Sequence, residues 1–145
     1  VPRQPRAVGG ADVGAFSFTK NLPTFIDWSN RAAITDVVRS QPLNVTWTAG
    51  QAQSGLVVIT GFSYSVPKKV TSAFFCYADP AAGAFTVPAY VLNAMVASDN
   101  GGNALLPSGT LSVGGAVSPG FFEAPGIDLG VFSVSAMDSK SVNYQ

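Results

Sequence analysis

The sequence predicts an all-β chain: an antiparallel β-sandwich with a short helical cap. Three observations carry this. Leu43, Val45 and Trp47 alternate with Asn44, Thr46 and Thr48, a pattern that turns one strand face to a core and the other outward. Leu56 to Ile59 is continuously apolar, which predicts a strand covered on both faces. Runs rich in Val, Thr, Phe and Tyr return about every dozen residues between Gly, Pro and Asp turns, the rhythm of a sandwich or barrel.

In chain order, residues 1–14 (VPRQPRAVGGADVG) differ from the rest and read as a flexible or partner-docking segment. Residues 15–145 read as the β-sandwich domain. Ala15, Phe16, Ser17, Phe18 and Thr19 alternate two phenylalanines with small residues and form a candidate strand, which either docks on a neighbouring subunit or pairs within its own chain as the first strand. Leu22-Pro23 interrupts the pattern, and Thr24 to Trp28 resumes it. Asn30 to Ile34 reads as a turn and Asp36 to Arg39 as a short extended piece. Strands follow from Leu43, from Leu56, from Ala73 to Tyr77 and from Gly83 to Pro88, the first three joined by the loops Gly50 to Gly55 and Pro67-Lys68-Lys69. Val91, Leu92 and Met95 fall at helical spacing within Ala89 to Met95, the expected cap. Ser98 to Ser108 reads as a polar loop. Strands are then expected at Thr110 to Val113, Gly120 to Ala124, Gly130 to Met137 and Lys140 to Gln145, with a hairpin turn at Met137-Asp138-Ser139-Lys140. The predicted core is Val45, Trp47, Val57, Ile59, Phe74, Cys76, Phe85 and Val87.

Composition narrows the function. Of 145 residues, 47% are hydrophobic and 11% charged, where about 25% charged is usual. Eight basic residues balance eight acidic ones. A net charge of zero leaves no electrostatic footprint for nucleic acid and little to keep copies apart. There is no histidine, so the usual general base, pH switch and commonest metal ligand are absent. The single cysteine, Cys76, cannot form an intrachain disulfide and reads as a small buried hydrophobe. No apolar run has the length of a membrane span. The chain starts at Val1 without methionine, which reads as a removed leader or a cut from something longer.

The acids Asp12, Asp27, Asp36, Asp79, Asp99, Glu123, Asp128 and Asp138 are scattered, with no glycosidase pair legible among them. Asp99 to Asn103 lacks the alternating acids of a calcium loop and reads as a turn. Serines are many, but without histidine none has its usual activating base. The expectation is therefore no enzyme, no cofactor and no metal. Tyr64, Tyr77, Tyr90 and Tyr144 are candidates for glycan stacking; each sits in or beside an apolar run, which favours packing.

Four segments, DWSNRAAITDVVRSQPLNVTWTAG, VVITGFS, AFFCYADPAAGAFTVPAYVLNAM and APGIDLGVFSVSAMDSKSVNYQ, together resemble a C-terminal domain of large secreted acidobacterial proteins of unassigned function, which often carry Ig-like modules. The resemblance covers Phe25 to Gln145. It implies export and an Ig-like or related antiparallel β-sandwich, and carries over no catalytic residue. The expected role is a self-associating structural subunit of an extracellular fibre or surface layer, a homo-oligomer or filament. The alternative is a secreted module that binds glycan or a cell surface.

Overall fold

The computed structural model describes residues 2–21, 25–48, 55–99 and 108–145. The chain is all-β with one short helix. Strands β1 (Pro2–Arg3), β2 (Arg6–Ala7), β3 (Phe16–Ser17) and β4 (Lys20–Asn21) come first. β1 pairs with β4 and β2 with β3, in one register, so residues 2–21 form a single hairpin. Ala15 to Thr19 thus shares a ladder with the segment before it. Gly10 N–H donates to Val13 O at 2.7 Å across the tip.

A 3-10 turn at Arg31–Ala33 precedes β5 (Asp36–Val37) and β6 (Leu43–Thr46). The long strands β7 (Leu56–Ser65) and β8 (Val70–Ala78) form a hairpin across the Pro67-Lys68-Lys69 turn. A second 3-10 turn, Pro80–Ala82, leads to β9 (Ala84–Val87) and to the helix α1 (Ala89–Asn93). The chain ends in β10 (Gly109–Ala124), β11 (Ile127–Ser141) and β12 (Asn143–Tyr144).

The main sheet has the order β11-β10-β7-β8, antiparallel throughout. β6 pairs with β9, and β12 runs parallel to β5. Register assigns the faces. Val57 and Ile59 share a side with Cys76 and Val113, their cross-strand partners. This side meets Val45, Trp47 and Val87 of the β6–β9 ladder, with Ile26, Trp28, Leu92 and Tyr144, in one apolar cluster. Trp47 Nε1–H donates to Pro80 O at 2.9 Å, and Tyr144 O–H to Thr110 O at 2.9 Å, so both enclosed polar tips are satisfied. A Cβ at Gly61 would strike the Phe74 ring and the Tyr144 hydroxyl, and only glycine lets that tyrosine pass. Leu92 and Met95 are buried, as the helical spacing predicts.

Six of the eight predicted core residues are buried: Val45, Trp47, Val57, Ile59, Phe74 and Val87. Cys76 and Phe85 face the core but are only half-buried. β8 and β9 are outermost in their ladders, so among the described residues each lacks a paired strand on one flank.

Three expectations change. Leu56 to Ile59 is not covered on both faces: Leu56 is 48% exposed and only Val58 on that side is sheltered, because no described element packs over Leu56. The four C-terminal strands are two long ones plus β12. Met137 to Lys140 is mid-strand, paired with Gly114 to Leu111, and the turn falls at Pro125-Gly126, where Gly126 has φ +90°. Backbone pairing is indifferent to the polar Asp138-Ser139-Lys140 side chains because β11 is an edge, where Arg31 answers them. The polar loops Gly50 to Gly55 and Ser98 to Ser108 lie largely outside the described residues.

Candidate functional site

β10 and β11 outrun their neighbour. β7 pairs with β10 only as far as Leu56↔Ala116, while β10 and β11 stay paired to Ala124↔Ile127. The remainder, residues 117–134, is a two-stranded arm about 25 Å long at roughly 3.3 Å per residue.

A β-bulge shapes the arm. Between Val117↔Val134 and Gly120↔Phe132, Ser118 and Pro119 of β10 oppose Ser133 of β11. The extra residue reverses which side each later β10 residue faces. Phe122 thereby joins Phe132 on the side continuous with the core face, and Phe121 turns outward opposite Val131. Gly130 lies under the Phe122 ring and Gly120 under the Phe132 ring, so a Cβ at either would strike the ring above it. Rings laid across cross-strand glycines pin the register of a two-stranded ribbon.

The residue 2–21 hairpin lies on those rings. Phe16 stacks on Phe122 at 4.5 Å between centroids, and Phe18 on Phe132 at 3.9 Å and on Phe122 at 5.3 Å. The two tips also meet. Gly14 N–H donates to Pro125 O at 2.7 Å, and Gly126 passes so close to Asp12 that a Cβ would strike the Asp12 carbonyl. Phe16 and Phe18, singled out from their alternation, therefore face the arm of their own chain. Their partners Phe122 and Phe132 were not foreseen: unbroken alternation along β10 puts Phe122 on the other face.

The outer face of the main sheet is the second feature. Across it lie Leu56, Thr60, Phe62, Ala73, Phe75, Tyr77, Ser112, Met137 and Ser139, assigned by register. No charged residue occurs on this face of the four-stranded part. Phe75 is 65% and Tyr77 58% exposed. Where the arm leaves the sheet, Leu56, Val58, Tyr77, Ala116 and Pro119 line a shallow apolar groove of about 270 Å³. Of the four tyrosines, Tyr144 is buried, Tyr64 half-buried, and Tyr77 and Tyr90 exposed.

Titratable groups are not gathered anywhere. Among the described residues, no group of three His, Cys, Asp or Glu side chains could hold a metal ion, and no helix is long and apolar enough to cross a membrane. Hydrogen bonds from Asn143 and Thr35, joined by Gln145, outweigh desolvation and hold the Asp36 carboxyl below its usual range. Burial pushes the Cys76 thiol up, which makes it a poorer nucleophile at neutral pH. Burial also pushes the Tyr144 hydroxyl far above its usual value.

No family model, curated protein or solved structure matches this chain.

Proposed function

We propose that this chain is a structural subunit that associates with copies of itself, the residue 2–21 hairpin seating on the arm of a neighbouring copy as it seats here on its own. The observation that carries this is the seam itself: four stacked rings and one tip hydrogen bond join hairpin to arm. Exchange between copies preserves every such contact, so it costs little beyond association. Three residues, Leu22-Pro23-Thr24, separate the hairpin from Phe25 in the sequence, and exchange between copies turns on short hinge segments of this kind. Donation from each copy to the next is head-to-tail and grows a fibre unless the rotation closes it into a ring. A place in an extracellular fibre or surface layer belongs to the same reading, supported by the low charge and by the uncharged outer face of the main sheet. So does an Ig-like closure of the body, supported by the one apolar cluster that the main sheet shares with the β6–β9 ladder.

The test uses a cross-link at the tips. A Cβ at Gly14 would lie 2.9 Å from the Pro125 side chain, so Gly14→Cys with Pro125→Cys, on a Cys76→Ser background, places two thiols within disulfide reach. Oxidised at high concentration, an exchanging chain gives a ladder of covalent oligomers on a non-reducing gel. A covalent monomer alone, at every concentration, overturns the reading.

A further inference from the structure

We propose that β8 is a second self-association surface, pairing antiparallel along its free edge with β8 of another copy so that two four-stranded sheets become one. This rests on the self-association reading above, but uses a different part of the molecule.

β8 closes one side of the main sheet, and its nine pairs with β7, from Ser65↔Val70 to Val57↔Ala78, run without a shift. The edge is therefore regular along its length. Among the described residues, no backbone hydrogen bond reaches β8 from its far side. Sheet edges of this kind are ordinarily guarded by charge, proline, a bulge or a covering element. The sequence Val70 to Ala78, VTSAFFCYA, has no charged residue, proline or glycine.

The opposite edge shows what guarding looks like in the same sheet. β11 carries Asp138 and Lys140 where it flanks β10. Arg31 lies over it, with Nε 3.0 Å from Asp138 Oδ2 and Nη2 donating to Ser139 O at 3.0 Å. Lys140 Nζ donates to Arg31 O at 2.8 Å, closing the cover. Among the described residues, one edge is thus charged and covered; the other is neutral and free of backbone pairing, its one contact there the Val96 N–H donated to Ser72 Oγ.

Charge and shape name a second copy as the occupant. An uncharged strand meets an uncharged strand, in a chain of zero net charge. With the two-fold axis at Phe75, Phe75 of each copy faces its counterpart and Tyr77 faces Ala73 on the outer side. On the core side Cys76 faces Phe74. Large residues oppose small ones at both flanking positions, the cross-strand arrangement that stabilises antiparallel pairs. Size sets the strength. With that axis residues 72–78 of each copy pair, a seven-residue ladder about 23 Å long and roughly 10 Å thick that buries on the order of 200 Å² per copy, well below the ~800 Å² of a typical stable interface. The β8 contact is the weaker one, and gains from copies already joined through the hairpin.

The experiment holds the hairpin in place first. The Gly14→Cys/Pro125→Cys/Cys76→Ser chain, oxidised at high dilution and isolated as the covalent monomer, cannot exchange its hairpin. Sedimentation velocity over a concentration series is then run on this protein and on the same protein with Ala73→Lys and Phe75→Lys, both exposed positions. The expected result is reversible association of the parent, weakened at least tenfold by the lysines, with slowed amide exchange along β8 as concentration rises. Ala73→Glu alone, within the paired segment, serves should the double variant lose its circular dichroism signature. A parent that stays monomeric at all concentrations overturns the proposal. So does association that neither variant weakens, or a monomer that instead retains soluble β-glucan or xylan oligosaccharides on this face. The hairpin reading fails separately, on the absence of an interchain ladder in the unlocked protein.

Discussion

The body and the arm use aromatic rings in opposite ways. In the body, Trp47 and Tyr144 are enclosed on all sides, at 4% and 1% exposure, and each gives its polar tip to a backbone carbonyl. In the arm, Phe16, Phe18, Phe122 and Phe132 are half-buried and enclose one another in a single layer. An enclosed ring is tied to many elements, so its loss is felt by the whole fold. A ring in a seam is tied to one partner, and its loss opens that seam alone. The same residue type therefore serves as an anchor where a second layer covers it and as a separable contact where none does.

The largest expected effect breaks the body. Trp47→Ala removes the enclosed ring and orphans the Pro80 carbonyl, and should cost about 3–5 kcal/mol in urea unfolding. A cost near that of an arm variant would erase the contrast. Gly61→Ala forces a methyl against Phe74 and Tyr144 and should cost about 1–3 kcal/mol by the same measurement.

Alkali sharpens the contrast next. Tyr144 ionises higher in the fold than in the unfolded chain, where tyrosine titrates near about 10. Its contribution is whole below that pH and is lost as pH climbs toward the folded value, by about 1.4 kcal/mol per pH unit. Tyr144→Phe should flatten the alkaline limb of the stability curve, and an unchanged limb would remove Tyr144 from the account.

Effects in the arm should be local. Phe132→Ala loses a stacked pair worth about 0.5–1.5 kcal/mol beyond its area. Amide exchange in residues 2–21 should quicken about tenfold on that scale, while the unfolding midpoint of the body holds. A fall in both together would show that arm and body unfold as one. The smallest effect belongs to Asp36. Its depressed pKa stabilises the fold above the ordinary carboxylate range, and the contribution is lost as pH falls through the folded value. The group is exposed, so the check is its titration by NMR: Asn143→Ala should move the midpoint upward.

Much was legible in the chain itself. Alternation at Leu43 to Trp47 placed Val45 and Trp47 inward because strand periodicity is a local property, and the helical spacing of Leu92 and Met95 buried both for the same reason. Pro67-Lys68-Lys69 marked its turn, since turn chemistry is local too. The Ala15 to Thr19 alternation put Phe16 and Phe18 on one face, without saying what that face meets. The sequence by itself determined an all-β class, most of the core, and a chain with little charge to hold copies apart.

Tertiary structure decided the rest. Gly114 and Gly115 fell between two expected strands, yet β10 runs through them, and at Gly114 the β11 backbone presses so close that a Cβ would strike it. Met137 to Lys140 looked like a turn, yet it pairs along its length, because a partner strand and not the side chains sets where pairing ends. The bulge at Ser118-Pro119 is the decisive case. One extra residue exchanged the faces of Phe121 and Phe122, and so chose which ring meets the hairpin and which meets solvent. A bulge depends on the register of two strands at once, and no window along a single strand contains it.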